Sequence, residues 1–193
     1  MSRTIILLFH RNIAKSSANR ALRDRAATIS GVEVVDIQGL YPDGVIHMST
    51  DAGAEAQRLL SADRIVLQFP VQWYSTPALL KAWQDSVLTR MYYLFSEEEG
   101  NRLTGTPLMV AATAGNIPGA YGPGGANRFT IEEIFTPLRA TSHRCGLPWH
   151  EPYVVFTADK LNDAGLVEAA EGYENAIRSF IAATPSTSEQ EAS

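Results

Sequence analysis

A single cysteine, Cys145, stands in the 193 residues. Neither an internal disulfide nor a multi-cysteine metal site can form from it, and a reducing compartment, the cytoplasm, is expected. Positive charge is also in short supply: 16 Lys and Arg against 21 Asp and Glu give a formal charge of -5. The field that draws phosphate backbones or anionic lipid is missing, so nucleic acid and membrane surfaces are poor partners. Long apolar runs are absent. The run at residues 5–9 falls short of a signal-peptide core and far short of the roughly 20 residues that span a bilayer, so a soluble protein is expected. Neither GxGxxG nor GxxxxGK[ST] occurs, which removes the dinucleotide fingerprint and the P-loop. There is no GxSxG elbow and no HExxH, and His10, His47, His143 and His150 lack metal-ligand spacing, so no metal site is expected.

What is present is a compact-domain composition, 45% hydrophobic and 19% charged, which excludes disordered and fibrous classes. The length predicts one domain over residues 1–184. The tail at 185–193 (PSTSEQEAS) has no apolar anchor and is expected to be disordered.

Residues 4–9 (TIILLF) form a β-branched-rich apolar run, as in a strand buried on both faces of a parallel sheet. Ser16 or Ser17 then caps a helix carrying Ala18, Ala21, Leu22, Ala26 and Ile29 at helical spacing, and Gly31 stops it. Further strands are predicted at 32–37, 64–69, 107–113 and 153–156. Helices are predicted at 51–61, from Pro77 through Val87, at 130–142 and at 163–183. Residues 38–50 read as irregular, the glutamates at 97–99 as a solvated loop, and Cys145 as a small buried residue near a helix end. Five strands alternating with five helical segments predict a doubly wound α/β sandwich, since a barrel needs about 250 residues and eight units.

In such a sheet, ligands sit beyond the carboxyl ends of the strands, where strand order reverses. Three loops are selected. The first holds Ser16, Ser17 and Asn19 at a helix N-terminus, where hydroxyls, an amide and free N–H groups can hold a phosphate without a P-loop lysine; plain N-capping is the competing reading. The second, QFPVQWYSTP at 68–77, puts Trp73 and Tyr74 after a strand-ending proline, either as a surface for a flat ring system or as core or dimer-interface residues. The third, 113–128, supplies closely spaced glycines that let backbone N–H groups approach a ligand, unless it is merely a flexible surface loop. Few acid–base groups stand near these loops, so a cofactor that brings its own chemistry is expected.

TIILLF with His10, SSAN at 16–19, QFPVQWYSTPALLKAWQDSVL at 68–88, ATAG at 112–115 and TPLRATSHRCGLPW at 136–149 together resemble the flavodoxin-like NAD(P)H:quinone oxidoreductases. The similarity extends to the bacterial branch that includes the ancillary proteins of glutathione-gated potassium efflux systems and related drug or quinone reductases. It runs to about residue 181, and the FPxQWYSxPALLKxWxD segment is its most specific part. The resemblance implies a flavodoxin-like three-layer α/β sandwich whose five-stranded parallel sheet has the order 2-1-3-4-5, with helices on both faces. It implies FMN, with FAD as the alternative, an NADH or NADPH donor, and a quinone or similar electrophile as acceptor by a ping-pong route.

Carried over by residue, the resemblance implies that His10, Ser16, Ser17, Ala18 and Asn19 surround the flavin phosphate and ribityl chain. Pro70, Val71, Gln72, Trp73 and Tyr74 lie along the ring, and Thr113, Ala114, Gly115 and Asn116 bind its pyrimidine edge. Tyr121 is the candidate for contacting the acceptor. A homodimer is implied, with Trp73, Tyr74, Tyr92, Tyr93 and Phe95 as interface and pocket wall. A peripheral role as the flavin-binding regulatory subunit of a potassium efflux transporter is the alternative function, and a non-flavin binding module is a third. Two departures from the family pattern are visible. RMYYLFSEEEGN at 90–101 places Met91 and Tyr92 where a glycine is common, so a reshaped acceptor-pocket roof is expected. The glycine pair after Thr113 is replaced by Ala114, Gly115 and Asn116.

Overall fold

The computed structural model describes residues 2–184, so the tail at 185–193 lies outside the described residues. Its centre is one parallel sheet of β1 (Thr4–Leu8), β2 (Val32–Asp36), β3 (Arg64–Pro70), β4 (Leu108–Thr113) and β5 (Tyr153–Val155), in the order β2-β1-β3-β4-β5. The three inner strands are almost wholly buried, because helices cover both of their faces. The pleat divides their side chains. Ile5, Leu7, Ile65, Leu67, Val110 and Ala112 share one core, whereas Ile6, Val66, Met109 and Ala111 share the other.

The second core is closed by α1 (Ser17–Ala26) and α8 (Asp163–Ala183), which bring Leu22, Ala26, Tyr173, Ile177 and Phe180 against the sheet. The first lies under α3 (Ala52–Leu60), α4 (Ala78–Trp83) and α7 (Thr136–Arg144), through Leu59, Leu80, Trp83 and Leu138. Gly31 closes the turn after α1 at φ 79°, and a Cβ there would stand 2.8 Å from the Ser2 carbonyl oxygen, so both conformation and space require glycine.

Several elements depart from the sequence prediction. The second strand stops at Asp36, whose carboxylate accepts the Gly39 N–H at 3.1 Å and starts the short helix α2 (Ile37–Leu40), inside the stretch read as irregular. The helix expected over 130–142 is two: α6 (Ile131–Ile134), opened by a Thr130–Glu133 capping box, and then α7.

The largest difference follows α4. The helix widens into π-type turns at Gln84–Leu88, Arg90–Leu94 and Ser96–Gly100 before α5 (Asn101–Leu103). The glutamates at 97–99 are therefore not all in a solvated loop. Glu99 is buried and accepts from Arg90 Nε at 3.1 Å and Nη2 at 2.8 Å, while the same guanidinium lies 4.0 Å from the Phe95 ring centre. Gly100 is needed for this return, because a Cβ there would stand 2.6 Å from the Met91 carbonyl oxygen. Tyr92 turns inward, its hydroxyl donating to the Cys145 carbonyl at 2.7 Å, and Cys145 is buried at the end of α7.

Strand order places β1 beside β3, with the chain proceeding outward in opposite directions from that pair. The loops after β1, β3, β4 and β5 consequently gather at one end of the sheet.

Candidate functional site

A cavity of about 400 Å³ opens at that end, within the range of small-molecule sites. Its walls come from four segments: His10 with Lys15 to Asn19, Pro70 and Val71, Thr113 to Gly115, and Ala158, Asp159 and Leu161.

The first wall is the start of α1. Ser16 caps it, its hydroxyl accepting the Asn19 N–H at 3.2 Å. The N–H groups of Ser17 and Ala18, first in the helix, have no intrahelical acceptor, and the helix dipole adds partial positive charge there. Lys15 contributes a full positive charge beside them. His10 is half-buried, and burial holds its pKa below the usual 6.5; Arg11 adds to the lowering, while the Asn12 backbone and Asp36 oppose it. Its Nδ1 accepts the Asn12 N–H at 3.1 Å, so the neutral ring carries its proton on Nε2. The wall is a set of donors around a helix N-terminus, the arrangement that suits a phosphate.

Asn19 lines the cavity, yet its side chain is buried and its carboxamide N–H is committed to Thr113 Oγ1 at 2.8 Å. Behind it, Gln68 Nε2 donates to the Asn19 backbone oxygen at 3.0 Å. The start of α1 is thereby tied to β3 and β4.

The second wall leads into a tight turn. Gln72 N–H bonds Ser75 O at 2.9 Å and Ser75 N–H bonds Gln72 O at 3.0 Å. Trp73 and Tyr74 are the two central residues, at φ 46° and 60°. Two successive positive φ values define the primed turn that normally takes Asn-Gly. Bulky side chains are strained there. The turn leaves Trp73 94% exposed and Tyr74 about half exposed, with the Tyr74 hydroxyl 3.3 Å from Asn127 Oδ1 of the glycine-rich loop. Tyr121, on that loop, meets the Asn116 backbone and the Asn127 side chain. Burial, with Tyr74 adding a smaller effect, raises its pKa. Its ring lies 5.5 Å from Phe156.

Of the residues singled out from sequence, His10, Ser16, Ser17, Ala18, Asn19, Pro70, Val71, Thr113, Ala114 and Gly115 converge on the cavity. Gln72, Trp73, Tyr74, Asn116 and Tyr121 lie outside its lining, on the turn and loop that extend from its walls. Lys15 and the β5–α8 residues Ala158, Asp159 and Leu161 join the lining without a sequence signal that marks them. The strand-end rule applies to β5 as well, but the residues that follow it show neither a glycine cluster nor an aromatic pair. This loop is fastened to the third wall, with Thr157 N–H on Asn116 O at 3.0 Å and Ala158 N–H on Ala114 O at 3.1 Å. Among the described residues no cluster of His, Cys, Asp and Glu could hold a metal, and no helix is long and apolar enough to cross a membrane.

Comparison with known proteins adds a family model described as flavodoxin-like fold, which matches residues 2–177. General stress protein 14 of Bacillus subtilis is 39% identical over 152 residues, covering 79% of this chain and 83% of that protein. The uncharacterized NAD(P)H oxidoreductase YdeQ of the same organism is 34% identical, with 89% and 84% covered. KefF, an ancillary protein of the glutathione-regulated potassium-efflux system of Klebsiella pneumoniae, is 33% identical, with 90% and 93% covered. Among solved structures, general stress protein 14 of Treponema denticola in complex with FMN is 26% identical with a TM-score of 0.82, covering 92% of this chain and 98% of that one. A structure described as a thermophilic tryptophan halogenase of Streptomycin violaceusniger is 37% identical with a TM-score of 0.79, covering 88% and 95%.

Proposed function

From the premise that the chain belongs to the family of flavodoxin-like fold matched over residues 2–177, we propose that it is an FMN-dependent NAD(P)H oxidoreductase with a quinone or similar electrophile as acceptor. The observation that carries this reading is the convergence on one cavity of the α1 N-terminus and the ends of β3 and β4, beside a turn strained so as to expose two aromatic rings. The oxidoreductase-named relative and the FMN-bound neighbour support it.

The donor set fits FMN. Ser17 and Ala18 N–H groups, the Ser17 hydroxyl, Lys15 and the His10 Nε2–H would hold the phosphate. Thr113 would supply a hydroxyl, and Gly115 and Asn116 backbone N–H groups, for the polar edge of the ring, while the Ala114 N–H is committed to Val155 O at 2.8 Å. What the flavin brings is two-electron redox chemistry between NAD(P)H and the acceptor. The protein positions the ring, and donors fixed at its pyrimidine edge stabilise the negative charge that develops there. Nicotinamide and acceptor would take turns on the exposed face of the flavin, with Trp73 and Tyr74 along the ring and Tyr121 beside them.

Alternation at one place means ping-pong kinetics. Initial velocities at varied NADH or NADPH and several fixed quinone concentrations are expected to give parallel double-reciprocal lines. Intersecting lines would contradict a shared place. Similarity to KefF favours a second reading, a flavin-binding subunit that activates a membrane transporter, and copurification with a potassium efflux transporter from membranes tests it.

A further inference from the structure

Gln68 is fully buried on the central strand β3, outside the cavity lining. Its Nε2 donates to Asn19 O at 3.0 Å and lies 3.4 Å from Asn19 Oδ1. Its Oε1 has no hydrogen-bond donor among the described residues. A buried acceptor without a donor destabilises the fold, so an apolar side chain of the same length would suit the core better. A polar group kept in such a place points to a role in the site rather than in stability.

The chain of bonds says which role. Gln68 pins the first turn of α1 through the Asn19 carbonyl, and Asn19 Nδ2 donates to Thr113 Oγ1 at 2.8 Å. With its lone pair used by Asn19, the Thr113 hydroxyl has its proton turned away from that contact, and Thr113 lines the cavity. The Thr113 hydroxyl proton is thereby left free to be donated into the cavity.

We propose that Gln68 is a positioning residue for the bound flavin: through Asn19 it sets the α1 N-terminal turn against the sheet and aims the Thr113 hydroxyl at an acceptor atom of the FMN. The inference rests on the FMN reading given above. Gln68 touches no ligand itself, and no charge moves along the series; only orientation is transmitted.

The test uses the full chain, stripped of flavin and titrated with FMN by fluorescence quenching, with the melting temperature of the flavin-free protein and the midpoint potential of the loaded protein recorded in parallel. Gln68→Met keeps length and removes both polar atoms. It removes one orphan acceptor and leaves Asn19 Oδ1 without its donor, so the melting temperature is expected to stay within a few degrees of wild type, with FMN bound about tenfold more weakly and a shifted midpoint potential. Thr113→Val is expected to match it, Thr113→Ser to behave as wild type, and the Gln68→Met/Thr113→Val pair to be no worse than either single variant. Wild-type FMN affinity and potential in Gln68→Met, or full additivity in the pair, would overturn the proposal. If Gln68→Met does not fold, the contrast between Thr113→Val and Thr113→Ser decides, and equal affinities would overturn it. A wild-type chain that takes up no FMN would sink the cofactor reading instead.

Discussion

At the scale of single residues, the site is recognisable by the conformations it forces on side chains that resist them. Trp73 and Tyr74 occupy the two left-handed positions of a turn that glycine and asparagine fill at little cost. Replacing them by the turn's preferred pair, Trp73→Asn with Tyr74→Gly, is expected to raise stability by about 1 kcal/mol and the melting temperature by about 2–4 °C. The same change is expected to lower turnover, and Trp73→Ala alone to weaken flavin retention or turnover; wild-type flavin content and quinone reduction in Trp73→Ala would remove the ring from the site. His10 gives a pH signature. Burial keeps its folded pKa below 6.5, so above pH 6.5 the ring is neutral in both folded and unfolded chains. Below 6.5 the unfolded chain takes up a proton that the folded ring refuses until lower pH, so its contribution to stability is lost as pH falls. Melting temperatures of the flavin-free protein are expected to decline through that window, and His10→Gln to make the decline shallower.

At the scale of elements, the strands and the long helix α8 are legible because their patterns are unbroken. TIILLF and PLMVAAT are apolar at every position that two helical layers must cover. Leu80 and Trp83 likewise announce the buried face of α4. The π-type turns from Gln84 to Gly100 are not legible, since widened turns shift the side chains off the 3.6-residue period by which helices are recognised. Glu99 looks solvated beside Glu97 and Glu98, and only its pairing with Arg90 explains why it is buried. Removing one partner leaves a mostly buried charge alone, so Glu99→Ala is expected to lose on the order of 3 kcal/mol of stability, read by chemical denaturation. An unchanged midpoint would show the pair to be dispensable. The site follows the same division. Ten of the fourteen residues that the resemblance places around the flavin line one cavity, at the strand ends where the loops gather. Asn19 as a strut to Thr113, and Asp159 as a wall, depend on side-chain directions and on a loop without sequence markers.

At the scale of the whole molecule, one acidic sheet-and-helix body carries a donor-lined cavity at the carboxyl end of its strands, with two exposed aromatic rings beside it. The negative net charge leaves phosphate recognition to Lys15, hydroxyls and backbone N–H groups rather than to a basic patch, and an arrangement of that kind suits a resident cofactor more than a passing polyanion. Tyr93 and Leu94, both exposed, and Phe95, which stacks with Arg90, leave an apolar strip on the widened helix. The proposal is that this cavity holds FMN and that the protein passes electrons from NAD(P)H to a quinone. The visible absorption spectrum of the purified protein tests it most directly, recorded after loading with FMN and desalting, then after anaerobic NADH or NADPH, then after a quinone. The flavin bands are predicted to remain with the protein, to bleach on the second addition and to return on the third. A colourless protein after desalting, or retained flavin bands that neither nicotinamide bleaches, would contradict it.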